Sequence, residues 1–86
     1  MAYIARVDGT REAIKTPVSL ERAQEVVGGY VERVCPRHSP KIVFLCNEDG
    51  FSKGLQVNAH GCELYGAPIV GCIVVFESRK EAKGWL

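Results

Sequence analysis

Apolar and polar residues alternate weakly over Tyr3–Val7 and again over Glu12–Lys15, with Asp8-Gly9 between the two stretches. A period of two is the strand pattern, and Asp-Gly is the chemistry of a tight hairpin turn. The chain therefore opens with a predicted hairpin, ended by Pro17, which has no N–H to give to a ladder. The period then changes. Leu20, Ala23, Val26 and Val27 recur at helical spacing behind Ser19. Serine is a good N-cap, and Glu21 stands in the first turn, where the helix dipole favours an acid. Gly28-Gly29 stops the pattern, which predicts a helix over Leu20–Val27 with Gly28 as its left-handed C-terminal residue.

The second half of the chain reads mostly as strands. Over Tyr30–Cys35, Val31 and Arg33 point one way and Tyr30, Glu32 and Val34 the other, as in a half-buried strand. Pro36–Pro40 is a loop, and Ile42–Cys46 is a compact apolar strand. Asn47-Glu48-Asp49-Gly50 is a turn, with Phe51–Lys53 resuming the pairing. Gly54–Asn58 fits either an extended piece or a single helical turn. Ala59–Pro68, with two glycines and a proline, reads as a loop. Ile69–Glu77 is the strongest strand, and its unbroken apolar run places it centrally. Ser78–Lys83 reads as a short helical tail before Trp85-Leu86. One helix among many strands, without βαβ alternation, predicts a single α+β domain over residues 1–86. Its sheet is mostly antiparallel and twisted, with one short helix packed on one face.

Composition narrows the functional classes. Lys and Arg number 11 and Asp and Glu 10, a net charge of +1, with 47% hydrophobic and 24% charged residues. These are ordinary values for a globular chain. They exclude a disordered tail and argue against a strongly basic DNA binder and an acidic DNA mimic. The longest apolar run, Ile69–Phe76, is far short of the roughly 20 residues that span a bilayer, so no membrane association is expected. The N-terminus lacks the pattern of a signal peptide. Cys35, Cys46, Cys62 and Cys72 form no C-x-x-C pair, and Cys46 and Cys72 lie in apolar runs. The four are expected to be reduced thiols in a cytoplasmic protein.

No catalytic template fits. Cys35-x-x-His38 and His60-x-Cys62 supply zinc-ligating residue types, but not in a regular zinc spacing. Cysteine–histidine pairs are available, yet no nucleophile elbow or helix N-terminal cysteine activates one. His60-Gly61-Cys62-Glu63 lacks the Pro-Cys-x-x-Cys partner of a zinc deaminase. Glu48-Asp49 serve a turn. Gly28-Gly29 follows a helix, whereas a phosphate loop places its glycines before one. A non-enzymatic protein without cofactor or metal is expected. Asn47 and Asn58 are read first as amides tying loops to the backbone.

Four pieces stand in one ordered series: Gln24-x-x-Val27-Gly28-Gly29-Tyr30-Val31-Glu32-x-Val34, Asn47-Glu48-Asp49-Gly50, Gly54-Leu55-x-x-Asn58, and Ile69-Val70-Gly71 before an apolar strand. From about Leu20 to Phe76 this series resembles a family of small domains of unknown function found in bacteriophages and mobile elements. The stretch His60–Tyr65 lies outside the pattern. The resemblance implies a viral or plasmid origin, in which small accessory proteins act mostly by binding. By analogy, a counter-defence sponge that sequesters a host immune nucleotide between subunits of a homo-oligomer is expected, in the host cytoplasm. Tyr30 or Tyr65 would stack on a base, Arg33, Arg37 or Lys53 would pair with phosphate, and Asn47 and Asn58 would read polar edges. One alternative is an inhibitor of a host protein, binding through a sheet edge or through Trp85-Leu86. Another is a small zinc- or cysteine-dependent protein.

Overall fold

The last strand of the chain occupies the middle of the sheet. In the computed structural model, which describes residues 1–86, the elements run β1 (Tyr3–Ala5), β2 (Arg11–Ala13), α1 (Leu20–Val27), β3 (Val31–Val34), β4 (Val43–Asn47), α2 (Ala59–Tyr65) and β5 (Ile73–Phe76). The five strands form one sheet in the order β2-β1-β5-β4-β3, and every pairing is antiparallel. The α+β class read from the sequence is the observed one, with a helix packed against an antiparallel sheet.

The unbroken apolar runs of β4 and β5 have a direct cause. All five residues of β4 and all four of β5 are buried, because the sheet is covered on both faces. Successive residues point to opposite faces. Val43, Leu45, Val74 and Phe76 pack with Ala23 of α1, while Phe44, Cys46, Ile73 and Val75 form a second cluster with Ile69 and Cys62.

α1 spans the predicted residues. Ser19 caps it by accepting from the Arg22 N–H at 3.1 Å, and Gly28 ends it in the left-handed region at φ 79°. The stretch read as a loop, Ala59–Pro68, instead contains α2. Asn58 is its N-cap, accepting from the Gly61 N–H at 3.0 Å, and Gly66 is its left-handed C-terminal residue. The glycines that suggested a loop terminate the helix (Gly66) or let it approach the sheet closely (Gly61), where Ile69 and Ile73 leave no room for a Cβ.

Two further differences are local. Gly71 has φ +81°, outside the strand region, so the run from Ile69 is interrupted. Val70 makes only an isolated bridge to Val57, and that bridge shows the preceding segment to be extended up to the Asn58 cap. Ser78–Lys83 is a series of turns rather than a helix. These turns bring Trp85 back onto the α1 face, where its indole N–H donates to the Val18 carbonyl at 2.9 Å. No helix is long and apolar enough to cross a membrane.

Candidate ligand-binding site

Tyr65, at the C-terminal end of α2, stands between two adjoining hollows. Its ring meets Phe44 edge to face, with centroids 6.2 Å apart and planes at 84°. It remains 42% exposed. On one side is a groove of about 190 Å³ with Val34, Cys46, Ile69 and Val70 on its apolar walls and Glu32, Glu48 and the exposed ring of Phe51 around it. On the other is a hollow of about 300 Å³ lined by Cys35, Arg37, His38, Tyr65 and Ala67. The β3–β4 connection carries Arg37 and His38 past α2, so that His38 approaches Gly66.

The sequence-derived candidates divide on this map. Tyr65, Arg37 and Asn47 line the two hollows. Asn47, however, is almost fully buried, and its amide bonds the backbone: Nδ2 donates to Val27 O at 3.0 Å, and Oδ1 accepts from the Asp49 N–H at 2.8 Å. Asn58 is fully buried and equally engaged. Its Nδ2 donates to Ala5 O at 2.9 Å and to Gly71 O at 2.8 Å, while Oδ1 caps α2. Tyr30 is exposed where α1 hands over to β3. Arg33 leaves β3 on the opposite face, where its Nη1 donates to the Trp85 carbonyl at 3.1 Å. The Lys53 ammonium lies over Gly29, beside the Asn47 amide. Tyr30, Arg33, Lys53 and Asn58 are therefore not lining residues of the Tyr65 hollows.

The thiols fall in different settings. Burial, with Glu32 adding to it, pushes the Cys46 thiol up to about 11, so it stays protonated and poorly nucleophilic at neutral pH. Cys62 Sγ accepts from the Ile69 N–H at 3.3 Å. No group of three His, Cys, Asp or Glu side chains is placed to hold a metal ion, and all four cysteines are free thiols.

Sequence reasoning missed a cluster at the other end of α2. His60 Nε2 lies 2.6 Å from the Tyr3 hydroxyl, and its Nδ1 lies 3.1 Å from Arg11 Nη2. Arg11 also sits over the Tyr3 ring, 5.3 Å from its centroid. Burial and the neighbouring guanidinium lower the His60 pKa, and burial raises that of Tyr3. The three residues come from β1, β2 and α2, and no local spacing links them.

The family described as "Domain of unknown function (DUF3846)" matches residues 1–84. The chain belongs to this family. The DUF3846 match takes in both helices and all five strands, so the Tyr65 hollows and the Tyr3–His60–Arg11 cluster both lie within the family domain. No curated protein and no solved structure matches the chain.

Proposed function

We propose that this DUF3846 chain is a non-enzymatic binder of a small nucleotide, and that it sequesters a host immune signal on behalf of a phage or mobile element. The observation that carries the reading is the position of Tyr65 between an apolar, acid-rimmed groove and a hollow with an arginine. A base stacked on Tyr65 would enter the groove beside Phe51, a contact type worth about 1–3 kcal/mol. Glu32 and Glu48 accept hydrogen bonds, which favours bases with amino groups on their edges. Arg37, across Tyr65, matches a phosphate, which guanidinium binds bidentately. The protein would work in the host cytoplasm.

Both hollows are open, and Phe51 is 68% exposed. A second copy of the chain closing over them would desolvate the ligand, which supports a homo-oligomeric binder. Calorimetry with a panel of cyclic nucleotides, dinucleotides and ADP-ribose derivatives tests the reading. Binding by the native chain with loss in Tyr65→Ala and Arg37→Gln is expected. No binding across the panel overturns it.

The host-protein inhibitor has one feature in its favour, the exposed edge strand β2. Its other proposed anchor is weakened, because the Trp85 indole packs on the chain's own core. Pull-down with a chain carrying Ala13→Pro, which removes an outward N–H of the β2 edge, separates this reading from the first.

A further inference from the structure

We infer that Tyr3 and Arg11, held in place by His60, form a binding site for a phosphate group. The hydrogens fix which atoms donate and which accept. A guanidinium only donates, so His60 Nδ1, 3.1 Å from Arg11 Nη2, is the acceptor. A neutral imidazole then carries its hydrogen on Nε2 and donates it to the Tyr3 oxygen 2.6 Å away. The phenol has accepted, and its own hydrogen has no acceptor among the hydrogen bonds of the chain. Arg11 makes a single hydrogen bond and has no carboxylate within ion-pair distance. What remains is one phenolic O–H and the other guanidinium N–H groups, all donors, with the Arg11 charge in no ion pair.

The cluster is also joined through the ring face. Arg11 stacks over the Tyr3 ring, and Tyr3 pairs with Ala13 in the β1–β2 register, two residues from Arg11. Four neighbouring charged or titratable groups face His60: Tyr3 from β1, Arg11 from β2, Glu63 from α2, and Glu77 just after β5. Glu77 is engaged at 2.5 Å by the N-terminal ammonium. The tetrahedral oxygens of a phosphate dianion or monoester can take two guanidinium N–H groups and the phenol together. His60 can hold Arg11 only while Nδ1 is unprotonated, so binding and His60 titration are linked. The site stands independently of the nucleotide proposed at Tyr65. His60 and Tyr65 are five residues apart on α2, about 7.5 Å along its axis.

The test is a titration of the full chain with inorganic phosphate at pH 7.5 and constant ionic strength, followed by the ring signals of its two histidines. A saturable shift at His60 without one at His38 is expected, together with a displaced His60 titration. Arg11→Gln should weaken binding by about tenfold or more, as loss of a charge-assisted contact does. Tyr3→Phe, which keeps the ring packing, should weaken it several-fold, and Tyr65→Ala should leave it unchanged. Ribose 5-phosphate in a parallel titration distinguishes a monoester from the free anion. Absence of a saturable shift overturns the assignment. So does an equal response at His38, an equal response to chloride, or unchanged binding in Arg11→Gln.

Discussion

Alternate residues of the same strands build the two faces of this sheet, yet the faces differ in chemistry. Toward α1 lie Val43, Leu45, Val74 and Phe76, covered by Ala23, Val26 and Val18 and bordered by Trp85. That core is apolar, with the buried Asn47 amide bonded to Val27 O beside it and a hollow of about 600 Å³ between Thr16-Pro17 and the turns around Ala82 at its border. Toward α2 lie Phe44, Cys46, Ile73 and Val75. Their cover has seven residues, about 10 Å of helix, and leaves the grooves beside Tyr65 open. This face also holds the buried Asn58 amide, the Cys62 thiol and the Tyr3–His60–Arg11 cluster. Buried polar groups are tolerable only when hydrogen-bonded, and no buried side-chain nitrogen or oxygen lacks a partner. The α1 face is the more apolar of the two. The α2 face accepts polar contents and open surface, the conditions under which a small domain can bind something.

That contrast can be broken most sharply at Asn58. Asn58→Ala removes a cap and leaves two buried carbonyls, of Ala5 and Gly71, without this donor. At about 1–3 kcal/mol for a buried unsatisfied group and about 1 for a cap, a loss of about 3–5 kcal/mol is expected in urea denaturation. The corresponding cap on the other helix, Ser19→Ala, should cost about 1 kcal/mol or less. Equal losses would mean that the two helices are anchored alike.

Gly61→Ala probes how tightly α2 is seated. A Cβ there would lie 2.6 Å from Ile69 Cγ2 and 3.3 Å from Ile73 Cδ1. Overpacking of this kind costs about 1–3 kcal/mol, and a change near zero would show that α2 rides loosely on its face.

Acid titration separates the faces by charge. His60 has its pKa lowered from 6.5 by burial and by Arg11. The unfolded chain therefore binds the proton more readily, and stability present above about pH 6.5 declines as pH falls through that value and the folded one. Asp8 and Glu12 are also lowered, through the Thr10 hydroxyl and the Arg6 guanidinium, but from 3.8 and 4.5, so they act at lower pH. The N-terminal ammonium, raised by Glu77, works in the opposite sense, its contribution fading as pH rises beyond its folded value. His60→Gln should flatten the urea midpoint between pH 7.5 and 5.5, and an unchanged slope would remove His60 from the account. Tyr65→Ala belongs with Ser19→Ala among the small effects on stability. The edge-to-face contact of this partly exposed ring should contribute about 1 kcal/mol, while the proposed binding surface is lost.

Much of the α1 side was legible from sequence because its signals are local. Ser19, the apolar spacing and Gly28 mark both ends of the helix within ten residues. The central position of β5 was also legible, since a strand covered on both faces must be apolar on both. α2 was not, because its glycines carry local loop signals whose helical use depends on tertiary contacts. Gly61 makes sense only against Ile69, and Asn58 only against Ala5 and Gly71. Two of the proposed ligand contacts, Arg37 and Tyr65, do line the hollows. Asn47 lines one too, but with its amide tied to the backbone. The cluster of Tyr3, Arg11 and His60 was invisible, as its members meet only when β1, β2 and α2 have assembled.

The most direct test of the central claim is thermal denaturation of the native chain and Tyr65→Ala against the nucleotide panel. A ligand at about 100 times its dissociation constant adds roughly 2.7 kcal/mol, a rise of about 10 °C for a domain of this size. Such a rise is predicted for one ligand class in the native chain, and its absence in Tyr65→Ala. A flat panel, or a rise that survives the loss of Tyr65, would contradict it.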